Sequence, residues 1–227
     1  MALQPSLRPL NVAGKIDAPH TLDIFLDYVC PFRYSELSFL DWDRRLNQTG
    51  CYVLSAKMAL AIENILKPLV EQGGQYEGKV KVIFRLQVQP WHSASTLTHE
   101  AALAVLRASP ENFWAYSLAL FKNQSDYFDI PTANLTPLQI REKLVALAAQ
   151  VIPADAVQDV RELLKLKGSA NGGVAVTDDL KYNIKFARQN SIHVSPTVLW
   201  DGLVAGEISS SWGEEEWKKF LKTKVIV

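Results

Sequence analysis

Asp23-Ile24-Phe25-Leu26-Asp27-Tyr28-Val29-Cys30-Pro31-Phe32 is the stretch on which the reading of the chain turns. An apolar, β-rich run stops at a cysteine and a proline follows at once. A strand that delivers a thiol to the first turn of a helix has this pattern, because proline suits the first helical position. If Pro31 opens a helix, unpaired N–H groups and the positive end of the helix dipole lie beside the sulfur of Cys30 and favour thiolate over thiol. Each unit by which the thiol pKa falls from its usual value of about 8.5 corresponds to about 1.4 kcal/mol. Cys30 is therefore the candidate nucleophile. A small buried cysteine closing a strand is the other reading, since cysteine is among the most buried residue types.

The chain has 227 residues, of which 48% are hydrophobic, enough for a proper core in one domain or in one domain with a large insertion. Lys plus Arg number 24 and Asp plus Glu number 24, so the net charge is zero and nothing in the total favours nucleic acid or an anionic membrane as partner. No apolar stretch approaches the roughly 20 residues of a membrane span. The start of the chain lacks the charged and apolar regions of a signal peptide and is expected to be a flexible N-terminal arm over residues 1–19. Two cysteines, Cys30 and Cys51, are too few for a disulfide framework, which fits a reducing, cytoplasmic setting. No zinc-ligand spacing is present, and His92 and His99 have no third ligand beside them, so no metal is expected. Gly168, Gly172 and Gly173 lack the spacing of a phosphate loop and read as a turn between helices.

Around the opening stretch, Thr21 to Val29 reads as a strand covered on both faces, with Leu22, Ile24, Leu26 and Tyr28 on one side. Ser55 to Gln72 is a helix with Met58, Ile62, Ile65 and Leu69 on its apolar stripe, Pro68 as a late kink and Gly73-Gly74 as its stop. Lys79 to Val88 is a second strand, and strand, helix, strand in this order calls for a right-handed parallel crossover. A run of helices follows, from Ser95 to Ala108, after Ser109-Pro110-Glu111, from Thr136-Pro137, from Ala154 to Lys167 and from Thr177 to Asn190. Val198-Leu199-Trp200 returns to β structure, Asp201-Gly202 turns it back, and Trp212 to Leu221 closes the chain as a helix.

Cys30-Pro31 after the first strand, a long helical block within a β-α-β frame, and His193-Val194-Ser195-Pro196-Thr197 before a terminal hairpin and helix together resemble the DsbA-like branch of the thioredoxin-fold superfamily. The resemblance spans about residues 20 to 222. It implies an α/β, thioredoxin-like fold formed by residues 20–92 and 191–227, with residues 93–190 as an inserted helical subdomain. It also implies thiol-disulfide exchange at Cys30. In that family the proline matching Pro196 is cis and packs against the active-site cysteine, so Pro31, Phe32, Ser195, Pro196 and Thr197 are the expected substrate-facing residues. A thiol or disulfide is the implied substrate; glutathione would serve as co-substrate, and no other cofactor is called for.

The chain departs from the family at one position. A dithiol oxidoreductase carries C-x-x-C, and here the second cysteine is replaced by Arg33. Cys30 can then form a mixed disulfide but cannot release it by attack from that place. A monothiol oxidoreductase follows, with a non-catalytic binding module, or a glutathione-dependent transferase or isomerase similar to the kappa class, as the alternatives. Residues 33–54 are an atypical insertion. Without them Cys30-Pro31-Phe32 would join Ser55-Ala56-Lys57-Met58 in one continuous amphipathic helix, which suggests a retained short intron. The rival reading is a genuine inserted helix, with Leu37, Leu40 and Arg44 at helical spacing and Asn47 to Gly50 as its end. In that case Cys51 becomes a candidate resolving thiol, provided its Cα lies within about 7 Å of that of Cys30.

Overall fold

A computed structural model describes residues 3–30 and 54–226. Pro31, Phe32, Cys51 and nearly all of the 33–54 segment lie outside the described residues. The sheet has five strands: β1 (Asn11–Ala13), β2 (His20–Leu26), β3 (Val80–Leu86), β4 (Thr197–Trp200) and β5 (Leu203–Val204), in the order β1-β3-β2-β4-β5. β2 and β3 run parallel from His20 opposite Val80 to Leu26 opposite Leu86, and β4 is antiparallel to β2, with Phe25 opposite Thr197. The C-terminal ends of β2 and β3 and the N-terminal end of β4 therefore share one edge of the sheet. Cys30, the segment after β3 and Ser195-Pro196 all belong to that edge.

Strand alternation decides what each face touches. Leu22, Ile24 and Leu26 enter the main core, while Phe25 forms a second cluster with Phe186, Ala187, Ile192 and Leu199 on the opposite face. The crossover from β2 to β3 ends in α1 (Leu54–Ala61), a π-helical turn over Ile62–Leu66, and α2 (Lys67–Val70). Lys67 N–H reaches back to Ile62 O, which widens the turn immediately before Pro68. That widening accommodates a residue with no N–H whose ring would crowd the preceding turn.

Between β3 and β4 lie α3 (Ser95–Ala108), α4 (Phe113–Lys122), α5 (Asp129–Thr132), α6 (Pro137–Ala148), α7 (Ala154–Leu163) and α8 (Thr177–Gln189). α6 starts in a capping box: Thr136 Oγ1 accepts from Gln139 N–H, and Thr136 N–H donates to the Gln139 side chain. α7 stops at Leu163, short of the expected Lys167, because the chain folds back so that Ala175 N–H donates to Leu163 O and Lys167 N–H to Gly173 O. Ala101, Leu144 and Val160 of these helices share one apolar core with Leu22 and Ile24 of the sheet. The helical insertion is thus packed into the same core as the strands. α9 (Glu214–Lys224) closes the chain through Trp217, Phe220 and Leu221.

The expectation of a loose arm over residues 1–19 is corrected for its described part. Leu7 and Leu10, in a short 3-10 turn at Pro5–Leu10, are completely buried, and β1 adds Asn11–Ala13 to the sheet beside β3. Two fully buried leucines tie the segment down. At the other end, Asp201 and Gly202 both have positive φ (48° and 86°), the conformation in which a two-residue hairpin loop matches strand twist. Asp201 is held there by its own side chain, which accepts from Thr21 N–H at 2.7 Å and pairs with His20 Nδ1 at 2.8 Å.

Candidate active site

Cys30 is only 4% exposed, and its thiol points at the backbone carbonyl of Ser195, with Sγ 3.8 Å from the oxygen. Two segments 165 residues apart in sequence thus meet at the sheet edge. The Ser195–Pro196 peptide bond is cis. Thr197 begins β4 opposite Phe25, and its hydroxyl donates to Val194 O at 2.9 Å. Among the described residues expected to face a substrate, Ser195 brings its backbone carbonyl to the thiol. Pro196 and Thr197 follow it into the strand.

The arrangement is held by buried polar groups that the sequence reading passes over. Ser195 Oγ accepts from Asp27 N–H at 2.8 Å and lies 2.8 Å from the hydroxyl of Ser55, near the start of α1. The Asp27 carboxyl is wholly buried. Oδ1 accepts from Val29 N–H at 2.8 Å, and Oδ2 accepts from Gln89 N–H at 2.9 Å and from the Ser95 hydroxyl at 2.8 Å. The Asp27-to-Val29 bond is a turn in which a side chain stands in for a backbone acceptor. The sequence signal for Asp27 is its place just past a largely apolar strand, three residues before the thiol. Its partners carry no such signal, because serine and glutamine backbone donors are common everywhere.

Below this layer Tyr28 is buried between the rings of Phe84, His99 and Phe121, with its hydroxyl 2.8 Å from Ser117 Oγ. Burial pushes the Tyr28 phenol far above its ordinary range, which keeps it neutral. His99 Nδ1 lies 2.8 Å from Ser95 O, so this histidine packs against the site's support from inside the core. His92, by contrast, pairs with Asp129 at the surface, Nδ1 to Oδ2 at 3.1 Å. The two histidines do different work, and among the described residues no group of three or more His, Cys, Asp or Glu side chains could hold a metal ion. No helix of the described residues is long and apolar enough to cross a membrane.

With this geometry in view, the chain can be set beside known structures. A candidate protein-disulfide isomerase from Pseudomonas syringae matches over 92% of this chain and 96% of its own, at 25% identity and a TM-score of 0.62. BdbD from Bacillus subtilis, in its oxidised form, matches over 99% and 97% at 18% identity and a TM-score of 0.54. The thiol-disulfide exchange protein α-DsbA2 from Wolbachia pipientis matches over 93% and 84% at 15% identity and a TM-score of 0.56. This chain has a DsbA-like thioredoxin fold. The α/β class with a helical insertion, expected from Cys30-Pro31 and Val194-Ser195-Pro196-Thr197, is the architecture the DsbA-like relatives share. No protein-family model and no curated protein matches the sequence.

Proposed function

We propose that the chain is a DsbA-like thiol-disulfide oxidoreductase of monothiol type, with Cys30 as nucleophile. The observation that carries this reading is the Cys30 thiol set against the Ser195 carbonyl at the edge where three loops meet. In the proposed reaction the Cys30 thiolate attacks one sulfur of a disulfide, forming a mixed disulfide and expelling the other sulfur as thiolate. A second thiolate from solution then attacks the mixed disulfide on the Cys30 sulfur's partner and regenerates Cys30. Glutathione is the proposed second thiol, leaving as a mixed disulfide with the substrate sulfur, and no further cofactor takes part. The proposed substrate-facing residues are Pro31, Phe32, Ser195, Pro196 and Thr197, and the proposed setting is the cytoplasm, since an external thiol pool must release the adduct.

The burial of Cys30 favours a second reading, a binding module that has kept the fold without turnover. Reduction of a small model disulfide by glutathione separates the two. The first reading expects saturable turnover that survives Cys51→Ser and disappears in Cys30→Ser with the fold unchanged. Turnover in Cys30→Ser equal to that of the unaltered chain would refute it. Turnover lost only in Cys51→Ser would place the chemistry on Cys51.

A further inference from the structure

We propose that Asp27 is the positioning residue of the Cys30 site, the group that registers the turn carrying the thiol against the loop that faces it. The inference rests on the reading of Cys30 as nucleophile. Both sides of the thiol contact pass through this one residue. Its Oδ1 fixes Val29 N–H, the residue immediately before Cys30, and its own N–H fixes Ser195 Oγ, the residue whose carbonyl takes the thiol. Its Oδ2 anchors the segment after β3 through Gln89 N–H and Ser95 Oγ.

The pattern of partners argues for this role. A buried carboxyl is costly unless its lone pairs are used, and an ion pair is the usual compensation. Asp27 makes no ion pair among the described residues; its carboxyl is held by three neutral donors, two loop N–H groups and the hydroxyl at the start of α3, at one end of the sheet. The three donors come from segments that meet beside the cysteine, so the bonds that satisfy the buried carboxyl also fix the register of those segments against one another.

The bond from the Cys30 S–H to Ser195 O stabilises the protonated thiol, because a thiolate has no hydrogen to give. Loosening either half of the Asp27 clasp should weaken that bond and lower the pH at which Cys30 ionises. The other ionisable groups on the described elements around this turn are Tyr28, neutral through burial, His99 against Ser95, and His193 two residues before Ser195, whose Nδ1 lies 2.9 Å from Ser191 O.

The test is the pH profile of Cys30 alkylation by iodoacetamide in the full chain carrying Cys51→Ser, so that one thiol is read. Asp27→Asn leaves a single acceptor oxygen for three donors and breaks the clasp on its side-chain half. Ser195→Ala keeps the carboxyl and breaks the backbone half. Both should shift the alkylation midpoint downward by about one pH unit. Leu144→Ala, a core truncation in α6, lowers stability without touching the clasp and should leave the midpoint in place. An unmoved midpoint in both clasp variants would overturn the proposal. So would a shift in Asp27→Asn alone, which would assign the effect to charge and not to position, or an equal shift in Leu144→Ala. The midpoint is read whether or not the chain turns over a disulfide, so failure of the proposed activity and failure of this inference are separate results.

Discussion

Asp23 and Asp27 sit four residues apart at β2 and its exit, both buried, and they are kept for different reasons. Asp23 points to the sheet face covered by α8 and is paired with Arg85 Nε at 2.7 Å. The Arg85 guanidinium also lies over the Phe186 ring at 4.4 Å. Asp27, one residue past the strand, meets only neutral donors. The first aspartate compensates a buried charge within the sheet; the second joins the segments that leave the end of the sheet. Burial alone does not distinguish them, and the identity of the partners does.

The largest effect should come from separating the first pair. Asp23→Ala leaves the Arg85 guanidinium buried without its counter-charge, at a cost of about 3–5 kcal/mol in denaturant unfolding. Replacing both members together, Asp23→Leu with Arg85→Met, should recover most of that loss. If the double variant is as unstable as the single one, the pair is more than charge compensation. Neither change should alter Cys30 alkylation, and a shift there would blur the distinction between the two aspartates.

A smaller loss is expected at the second site. Ser95→Ala removes one of the three donors to Asp27 and should cost about 1–3 kcal/mol in the same unfolding measurement. A loss as large as that of Asp23→Ala would mean that Asp27 is as much a stability element as Asp23.

A third aspartate marks the lower end. Asp129 is exposed, and its hydrogen bond with the His92 ring, followed by the backbone N–H of Ser93, holds its carboxyl below the usual aspartate range. A carboxyl with a lowered folded pKa contributes stability above its unfolded value and loses it as the pH falls through the folded one. The difference in unfolding free energy between the chain and Asp129→Asn should therefore vanish on acidification through the aspartate range, and stay below about 1 kcal/mol because the pair is solvated. A difference that grows in acid would contradict this sign.

These comparisons also show where the sequence is readable. Alternation in Leu22, Ile24 and Leu26, the Asp201-Gly202 turn, and the pairing of Cys30 with Ser195-Pro196 are local or motif-like signals, and they lead to the fold and to the thiol's facing loop. Asp27 is not legible as a clasp because its partners, at 29, 89, 95 and 195, are mostly distant and chemically ordinary. Arg85 is hidden for the same reason: its partners Asp23 and Phe186 lie 62 and 101 positions away in sequence, and only strand pairing and the packing of α8 on the sheet bring them together. Leu7 and Leu10 mislead the arm assignment because a short 3-10 turn has no periodicity to announce burial.

The most direct measurement of the central claim is the intact mass of the Cys51→Ser chain after exposure to oxidised glutathione. A single glutathionyl adduct on Cys30 is expected, removed by excess thiol and absent when Cys30 is also replaced by serine. A folded chain that takes up no adduct while Cys30 remains available to alkylation, or one that keeps the adduct after Cys30→Ser, would contradict that claim.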